Sequence, residues 1–245
     1  MDVQSVKSEL QTPSGNMTLH VARPKGASGA LPAVIVIMEA FGLNDHIKRV
    51  ADRVAGEGYH AVAPDLYYRE GGKVARYDQL PEAIAMMQRL TDGQIVEDLG
   101  ELLRELAKDP AVDGQRIGIT GFCMGGRISY LAACEFPEIR ASVPFYGGGI
   151  AGQQFNPDLR PPVEKTAKMK AAIQLHFGEK DAYIPLEVVE EIRRTLEREQ
   201  KVFEVHVYPG AAHGFFCDER GDYDEQAAKL AWSRMTDFLA RHLKS

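Results

Sequence analysis

Residues 116–127 read RIGITGFCMGGR, an apolar run followed at once by a glycine-rich turn. A pattern of helical spacing begins at Ile128, so the stretch predicts a strand, a sharp turn and a helix. Cys123 lies in the turn, with Gly121 two residues before it and Gly125 two residues after it. This spacing is typical of a nucleophile elbow, where glycines let the neighbouring backbone approach closely. The stretch therefore indicates that Cys123 is a nucleophile.

The predicted helix after Cys123 supports the same interpretation. The first N–H groups of a helix have no partner inside the helix, so the Met124 N–H could hold a developing oxyanion. The field of the helix also favours a thiolate at its N-terminus. The alternative is that Cys123 is an inert, buried cysteine that packs between glycines. The motif alone leaves both interpretations open.

Two further residues complete a catalytic set in the order that the chemistry requires. Asp181 follows an apolar run over 171–177 and a short turn, and His213 follows a strand-like run over 203–208 and another turn. A cysteine nucleophile needs a base, and that base needs an acid to orient it. The chain order nucleophile, acid, histidine is that of α/β-hydrolases, with each residue at the exit of its own strand.

The remainder of the chain alternates strand-like and helix-like segments after an N-terminal hairpin. The predicted strands cover 5–11, 17–22, 33–38, 59–64, 116–121, 141–146, 171–177 and 203–208, and the predicted helices cover 44–56, 78–91, 92–108, 124–135, 186–200 and 225–243. Such alternation predicts an α/β fold, a mostly parallel sheet of about eight strands covered by helices on both faces. At 245 residues, we expect one domain over residues 1–245.

The segment 147–170 departs from this alternation. It begins with three glycines, contains several prolines and shows little periodicity. Long irregular loops in compact domains often serve as lids or binding loops, but a plain surface insertion fits the composition equally well. The sequence leaves these two alternatives open.

Composition favours small-molecule chemistry. The net charge is −6 with both signs interspersed, so neither nucleic acid nor a membrane surface is indicated as a partner. Three widely spaced cysteines suggest no disulfide framework, and the N-terminus lacks a secretory pattern, so we expect a cytoplasmic protein. A monomer or a small homo-oligomer is expected.

No recognised metal or cofactor motif occurs in the sequence. There is no His-Glu-x-x-His, no paired Cys-x-x-Cys, no G-x-G-x-x-G and no P-loop lysine. The sequence therefore predicts chemistry without a metal or a cofactor.

Several motifs together resemble the dienelactone hydrolase family of α/β-hydrolases, which use Cys-His-Asp. The resemblance runs from about Pro32 to about Leu243. Its most specific segments are MEAFGLN at 38–44, GFCMGG at 121–126, GEKD at 178–181 and AHGF at 212–215. The resemblance implies that Glu39 contacts the resting thiol and that the Ala40 N–H completes the oxyanion hole.

A carboxylate beside a thiol has a physical consequence. An ionised Glu39 near Cys123 would oppose thiolate formation, because like charges raise the pKa of a neighbouring acid. The hypothesis is that a substrate displaces Glu39 and thereby releases the thiolate only when it is needed.

Specificity is where the chain departs from the family. Members that act on dienelactone bind its carboxylate with arginines, one of them four residues after the histidine, where this chain has Cys217. Gly214 likewise replaces a serine of those members. Arg127, Arg76 and Lys73 are possible substitutes, or each is a solvated surface charge. The candidate substrate contacts are Arg127, Phe41 and Phe215.

The sequence therefore predicts a hydrolase that cleaves a lactone or carboxylic ester through an acyl-thioester on Cys123. The partner would be a small ester or lactone substrate. A second class stays open, a redox-sensing or ligand-binding protein that uses Cys123 on a hydrolase scaffold.

Overall fold

The computed structural model describes residues 1–156 and 159–244. The strands are β1 (Val3–Thr12), β2 (Gly15–Pro24), β3 (Leu31–Ile37), β4 (His60–Pro64), β5 (Val112–Phe122), β6 (Ile139–Phe145), β7 (Ala172–Gly178) and β8 (Phe203–Tyr208). The helices are α1 (Asp45–Gly56), α2 (Leu80–Met87), α3 (Asp92–Leu106), α4 (Met124–Glu135), α5 (Leu186–Arg198) and α6 (Glu225–Leu243), with short 3-10 helices at Tyr68–Glu70 and Pro162–Lys168.

All eight strands belong to one sheet, in the order β1-β2-β4-β3-β5-β6-β7-β8. The β1–β2 and β2–β4 pairs are antiparallel, and the other neighbours are parallel. Strand β7 is buried along its whole length, and β3 is buried except at its first residue. Burial on both faces is the reason these strands read as continuous apolar runs. The predicted mostly parallel sheet is confirmed.

Side-chain caps fix where two of the helices begin. The Asn44 side chain accepts a hydrogen bond from the Ile47 N–H at 3.1 Å and caps α1. Thr91 and Gln94 form a reciprocal capping box at the start of α3. Each cap satisfies an amide that the first helical turn leaves without a partner.

Helix α2 is shorter than the predicted segment 78–91. After Met87 the amides of Arg89 and Leu90 bond to carbonyls three residues earlier, so the chain tightens into a turn. The apolar pattern continues through this turn, which is why periodicity alone overestimated the helix. Among the helices of the described chain, none combines the length and apolar character needed to cross a bilayer.

The parallel strands bring the predicted functional residues to one edge of the sheet. Glu39 follows β3, Cys123 follows β5, Asp181 follows β7 and His213 follows β8. Because the carboxyl ends of parallel strands meet at the same edge, residues far apart in the chain converge there.

The glycines around Cys123 are required by close backbone packing. A Cβ atom on Gly121 would lie 2.3 Å from the Gly125 carbonyl oxygen. A Cβ atom on Gly125 would lie 2.5 Å from the Ile37 carbonyl oxygen. Rigid backbone stands on both sides, so only glycine allows α4 to begin directly against β3 and β5.

We expect Gly121→Ala to destabilise the fold strongly. The new methyl group must displace backbone, and such overpacking lowers the free energy of unfolding by about 3 kcal/mol. Chemical denaturation monitored by circular dichroism measures the loss. Gly221→Ala is the matched control, because a Cβ there meets nothing within 4 Å. Equal stability of the two variants would contradict the packing argument.

Candidate active site

Cys123 occupies a strained turn between β5 and α4. It is the N-cap of α4, with φ 56° and ψ −116°, and its N–H donates to the Phe145 carbonyl at 3.1 Å. A positive φ is unfavourable for a residue with a Cβ and persists only where the surroundings enforce it. The side chain is partly exposed and lines a cavity. This is the geometry of a nucleophile elbow.

His213 and Asp181 form a buried pair beside the elbow. The His213 Nδ1 lies 2.7 Å from Asp181 Oδ2, and the aspartate side chain is fully buried. Asp181 Oδ1 accepts hydrogen bonds from the N–H groups of Tyr183 and Ile184, at 2.8 and 3.2 Å. The carboxylate is therefore fixed on both oxygens, and it binds only the Nδ1 side of the imidazole.

Electrostatics couples His213 to Cys123. Burial opposes a charge on His213, but attraction to Cys123 and hydrogen bonds with Asp181 and Cys123 outweigh it and raise the His213 pKa to about 10. The surroundings therefore favour a protonated imidazole beside Cys123. A protonated histidine next to a cysteine favours the thiolate.

Two backbone amides near Cys123 are the candidate oxyanion donors. Within residues 1–156 and 159–244, neither the Ala40 nor the Met124 N–H donates a hydrogen bond to another protein group. The Tyr67 hydroxyl donates to the Ala40 carbonyl at 2.9 Å and lies 3.7 Å from the Met124 sulfur. Tyr67 thus connects the loop that carries Ala40 to the start of α4, a role that nothing in the local sequence indicated.

Glu39 is held by a tyrosine and an arginine. Its carboxylate is fully buried, and it accepts hydrogen bonds from the Tyr77 hydroxyl at 3.1 Å and from Arg220 Nη1 at 3.3 Å. In the part of the chain that the structure describes, no hydrogen bond joins Glu39 to Cys123. The contact with the resting thiol that the resemblance implied stays a prediction.

Arg220 is a site residue that the sequence analysis did not find. It lines the cavity, and Gly214 makes room for it, because a Cβ on Gly214 would lie 2.6 Å from the guanidinium. Gly214 also has φ +82°, which favours glycine. Arg220 lies three residues beyond Cys217 in the loop after His213, and this proximity was the available signal.

The cavity above Cys123 has a volume of about 540 Å³. The described residues that line it are mostly apolar, and Phe41 is one of them. Phe155 and Gln154 belong to the irregular segment 147–170, so part of that segment does lie at the cavity. Pro157 and Asp158 of the same segment lie outside the described residues.

Neither of the other two candidate substrate contacts lines the cavity. Arg127 is buried, and its guanidinium forms two hydrogen bonds with Asp92, at 2.7 and 3.1 Å, and a third with the Arg160 carbonyl. Phe215 is fully buried and packs against aromatic rings. Arg127 braces α4 against α3, and Phe215 belongs to the core, so neither is retained as a substrate contact.

Lys73 and Arg76 do not supply a free cation to the cavity either. Arg76 is exposed and pairs with Asp78 at 2.7 Å, and Lys73 lies 3.9 Å from Glu70. Neither lines the cavity. Both belong to the solvated surface, the second of the two alternatives that the sequence left open.

Among the described residues, one group of possible metal ligands comes together. The ligand atoms of His46, Cys217 and Asp218 lie within 4.8 Å of one another. Burial, reinforced by Glu39, raises the pKa of the Cys217 thiol to about 12, so a metal would have to displace a tightly held proton. Asp218 is exposed and already lies 3.2 Å from the His46 Nδ1. We assign no metal to this group.

Comparison with known proteins identifies relatives over nearly the whole chain. A model of the dienelactone hydrolase family matches residues 17–243. A candidate carboxymethylenebutenolidase from Synechocystis sp. is 38% identical, with 98% of each chain covered. A Bradyrhizobium sp. protein, named as a candidate 2-oxo-3-(5-oxofuran-2-ylidene)propanoate lactonase, is 33% identical over 96% of this chain and 93% of its own. The crystal structure of a candidate dienelactone hydrolase from Klebsiella pneumoniae superimposes with a TM-score of 0.91 and 35% identity, covering 99% of this chain and 100% of that chain.

Proposed function

This chain belongs to the dienelactone hydrolase family and has its α/β-hydrolase fold, and we propose that it hydrolyses lactones or carboxylic esters with Cys123, His213 and Asp181 as the catalytic residues. The observation that carries the proposal is the buried Asp181–His213 pair, whose histidine is electrostatically coupled to Cys123. A cysteine without catalytic function needs neither a buried acid–base pair nor two free amides beside it.

In the first step the Cys123 thiolate attacks the carbonyl carbon of the substrate. The N–H groups of Met124 and Ala40 stabilise the oxyanion, and each such donor is typically worth about 10²–10³ in rate. When the tetrahedral intermediate collapses, the carbon–oxygen bond of the ester breaks. His213 gives its Nε2 proton to the departing alkoxide, which leaves an acyl-thioester on Cys123.

In the second step water hydrolyses the thioester. The neutral His213, oriented by Asp181, takes a proton from the water as it attacks the acyl carbon. The carbon–sulfur bond then breaks, and the carboxylic acid leaves. Because the thiolate and the protonated imidazole are restored together, the cycle needs no cofactor.

Trapping the acyl-enzyme tests this proposal. We expect rapid quenching after mixing with p-nitrophenyl acetate to show one acetyl group on Cys123 by peptide mass spectrometry, together with a burst of p-nitrophenol. Cys134 and Cys217 are internal controls, since both are buried and burial raises the pKa of each thiol to about 12.

Other outcomes would assign the protein differently. Ester turnover without any acyl group on Cys123 would reject the covalent mechanism. Sulfenic acid formation on Cys123 with no ester turnover would favour the redox-sensing alternative.

A further inference from the structure

The loop that follows β3 carries the Ala40 amide, and backbone groups hold two of its carbonyls. The Glu39 carbonyl accepts a hydrogen bond from the Gly42 N–H at 3.2 Å, and the Phe41 carbonyl accepts one from the Ala75 N–H at 3.0 Å. Within the described chain, no backbone N–H reaches the Ala40 carbonyl between them. The central peptide of this loop therefore depends on a side chain for its position.

That side chain is Tyr67. Its hydroxyl donates to the Ala40 carbonyl at 2.9 Å and also lies 3.7 Å from the Met124 sulfur. Burial, reinforced by Cys123, raises the pKa of the Tyr67 hydroxyl, so the hydroxyl keeps its proton and remains a donor. One hydroxyl thus contacts both residues whose amides are the candidate oxyanion donors.

Tyr67 is itself held firmly in place. Its side chain is buried, and its N–H donates to Asp65 Oδ1 at 2.9 Å. Its carbonyl accepts hydrogen bonds from the N–H groups of Glu70 and Gly72, at 2.9 and 3.1 Å. Tyr67 does not line the cavity. Any effect of its hydroxyl on a substrate therefore passes through the groups that the hydroxyl holds.

We infer that Tyr67 is a positioning residue of the oxyanion hole, whose hydroxyl holds the Ala40 and Met124 amides in the arrangement that one substrate oxygen requires. The inference rests on the proposed function and adds a residue to it. Such donors act only where they already point at the place where charge develops, and a misplacement of about 1 Å can cost about 100-fold in rate. A hydrogen bond outside the cavity can therefore control the rate without contacting the substrate.

Tyr67→Phe tests the inference, because it removes the hydroxyl and keeps the ring. We expect kcat/KM for p-nitrophenyl acetate to fall by about 10–100-fold, since the amides are displaced but not deleted. The burst and the steady-state rate should both fall, because acylation and deacylation each pass through an oxyanion. Stopped-flow absorbance of p-nitrophenol measures both rates.

Two reactions of Cys123 distinguish this role from a general effect on the fold. Iodoacetamide alkylates the thiolate by loss of iodide from a saturated carbon, and no oxyanion forms, so Tyr67→Phe should be alkylated at the wild-type rate at each pH. With 1,1,1-trifluorobutan-2-one, the thiolate adds to the carbonyl carbon and the carbonyl oxygen becomes an alkoxide. We expect the affinity for this ketone to fall by about the same factor as kcat/KM, because the adduct resembles the transition state.

Tyr130→Phe is the matched control. Tyr130 is also fully buried, its hydroxyl lies 2.6 Å from Thr166 Oγ1, and it does not line the cavity. Chemical denaturation should show a similar loss of stability in both variants, whereas Tyr130→Phe should keep the wild-type rates. Incorporation of 4-aminophenylalanine in place of Tyr67 restores an N–H donor at the same position, and we expect it to recover most of the hydrolysis rate.

The outcomes separate the positioning role from the reaction. Tyr67→Phe protein with the wild-type kcat/KM overturns the inference and leaves the proposed hydrolase function intact. An equal fall in hydrolysis and alkylation, or loss of the fold, also overturns it, because the hydroxyl would then act on the thiol or on the whole structure. The inference is equally wrong if the 4-aminophenylalanine protein is as slow as Tyr67→Phe. Wild-type protein that hydrolyses no ester or lactone overturns the proposed function, and the inference falls with it.

Discussion

Replacing Cys123 by alanine is expected to lower kcat/KM for ester hydrolysis by about 10⁴-fold or more, the loss typical when the nucleophile of a catalytic triad is removed. The covalent intermediate cannot form without sulfur, and His213 then has no nucleophile to pair with. The oxyanion donors and the cleft remain, so a small residual rate above that of water is expected. Steady-state kinetics with p-nitrophenyl acetate measures the loss.

Cys134→Ala is the control for this experiment. Cys134 lies on α4, in the same helix that Cys123 caps, but it is buried in the core and does not line the cavity. It should retain the wild-type rate and show at most a modest loss of stability. Activity in Cys123→Ala comparable to that of Cys134→Ala would exclude Cys123 as the nucleophile.

Replacing Asp181 by asparagine is expected to lower kcat by about 10⁴-fold with little change in the fold. Asparagine can keep its carbonyl oxygen towards the Tyr183 and Ile184 amides, where Asp181 Oδ1 lies now. Its NH₂ group then faces His213 Nδ1 and holds the imidazole in the wrong tautomer, with the proton on Nε2. The neutral imidazole can no longer take a proton from water in the second step.

The pH dependence of thiol reactivity gives a second measure of this variant. In the wild type, burial lowers the His213 pKa, but Cys123 and Asp181 together raise it to about 10, so the protonated imidazole supports the thiolate. Loss of the Asp181 carboxylate removes one of the groups that raise this pKa, so the His213 pKa falls. The imidazolium then supports the thiolate less, and iodoacetamide should alkylate Cys123 more slowly than in the wild type when the rates are compared across pH.

Asp78→Asn is the corresponding control, because Asp78 is an exposed carboxylate that pairs with Arg76 and does not line the cavity. It should leave both the rate and the alkylation profile unchanged. If Asp181→Asn behaved like Asp78→Asn, the Asp181–His213 hydrogen bond would have no part in catalysis.

The sequence predicted the sheet well because the relevant signals are local. Continuous apolar runs marked the buried parallel strands, and glycines at 121 and 125 marked the elbow. The contact that excludes a Cβ on Gly121 lies within the strand-to-helix turn, whereas the backbone that excludes a Cβ on Gly125 belongs to the end of β3. The convergence of Asp181 and His213 could also be predicted from the order of the residues in the chain and the parallel direction of their strands, because the carboxyl ends of parallel strands lie at the same edge of the sheet. The length of helix α2 was overestimated, because the apolar pattern continues after Met87 although the backbone there tightens into a turn.

The sequence by itself therefore determined the fold, and it singled out the elbow and the candidate catalytic triad. Only the tertiary structure decided which buried charged side chains form ion pairs with each other. Arg127 forms its ion pair with Asp92. Arg220 binds one oxygen of Glu39, because Gly214 leaves space for its guanidinium, and the Tyr77 hydroxyl binds the other oxygen. Periodicity and turn chemistry are properties of neighbouring residues, whereas the pairing of buried charges depends on side chains from distant segments that meet only once the sheet and its loops have packed.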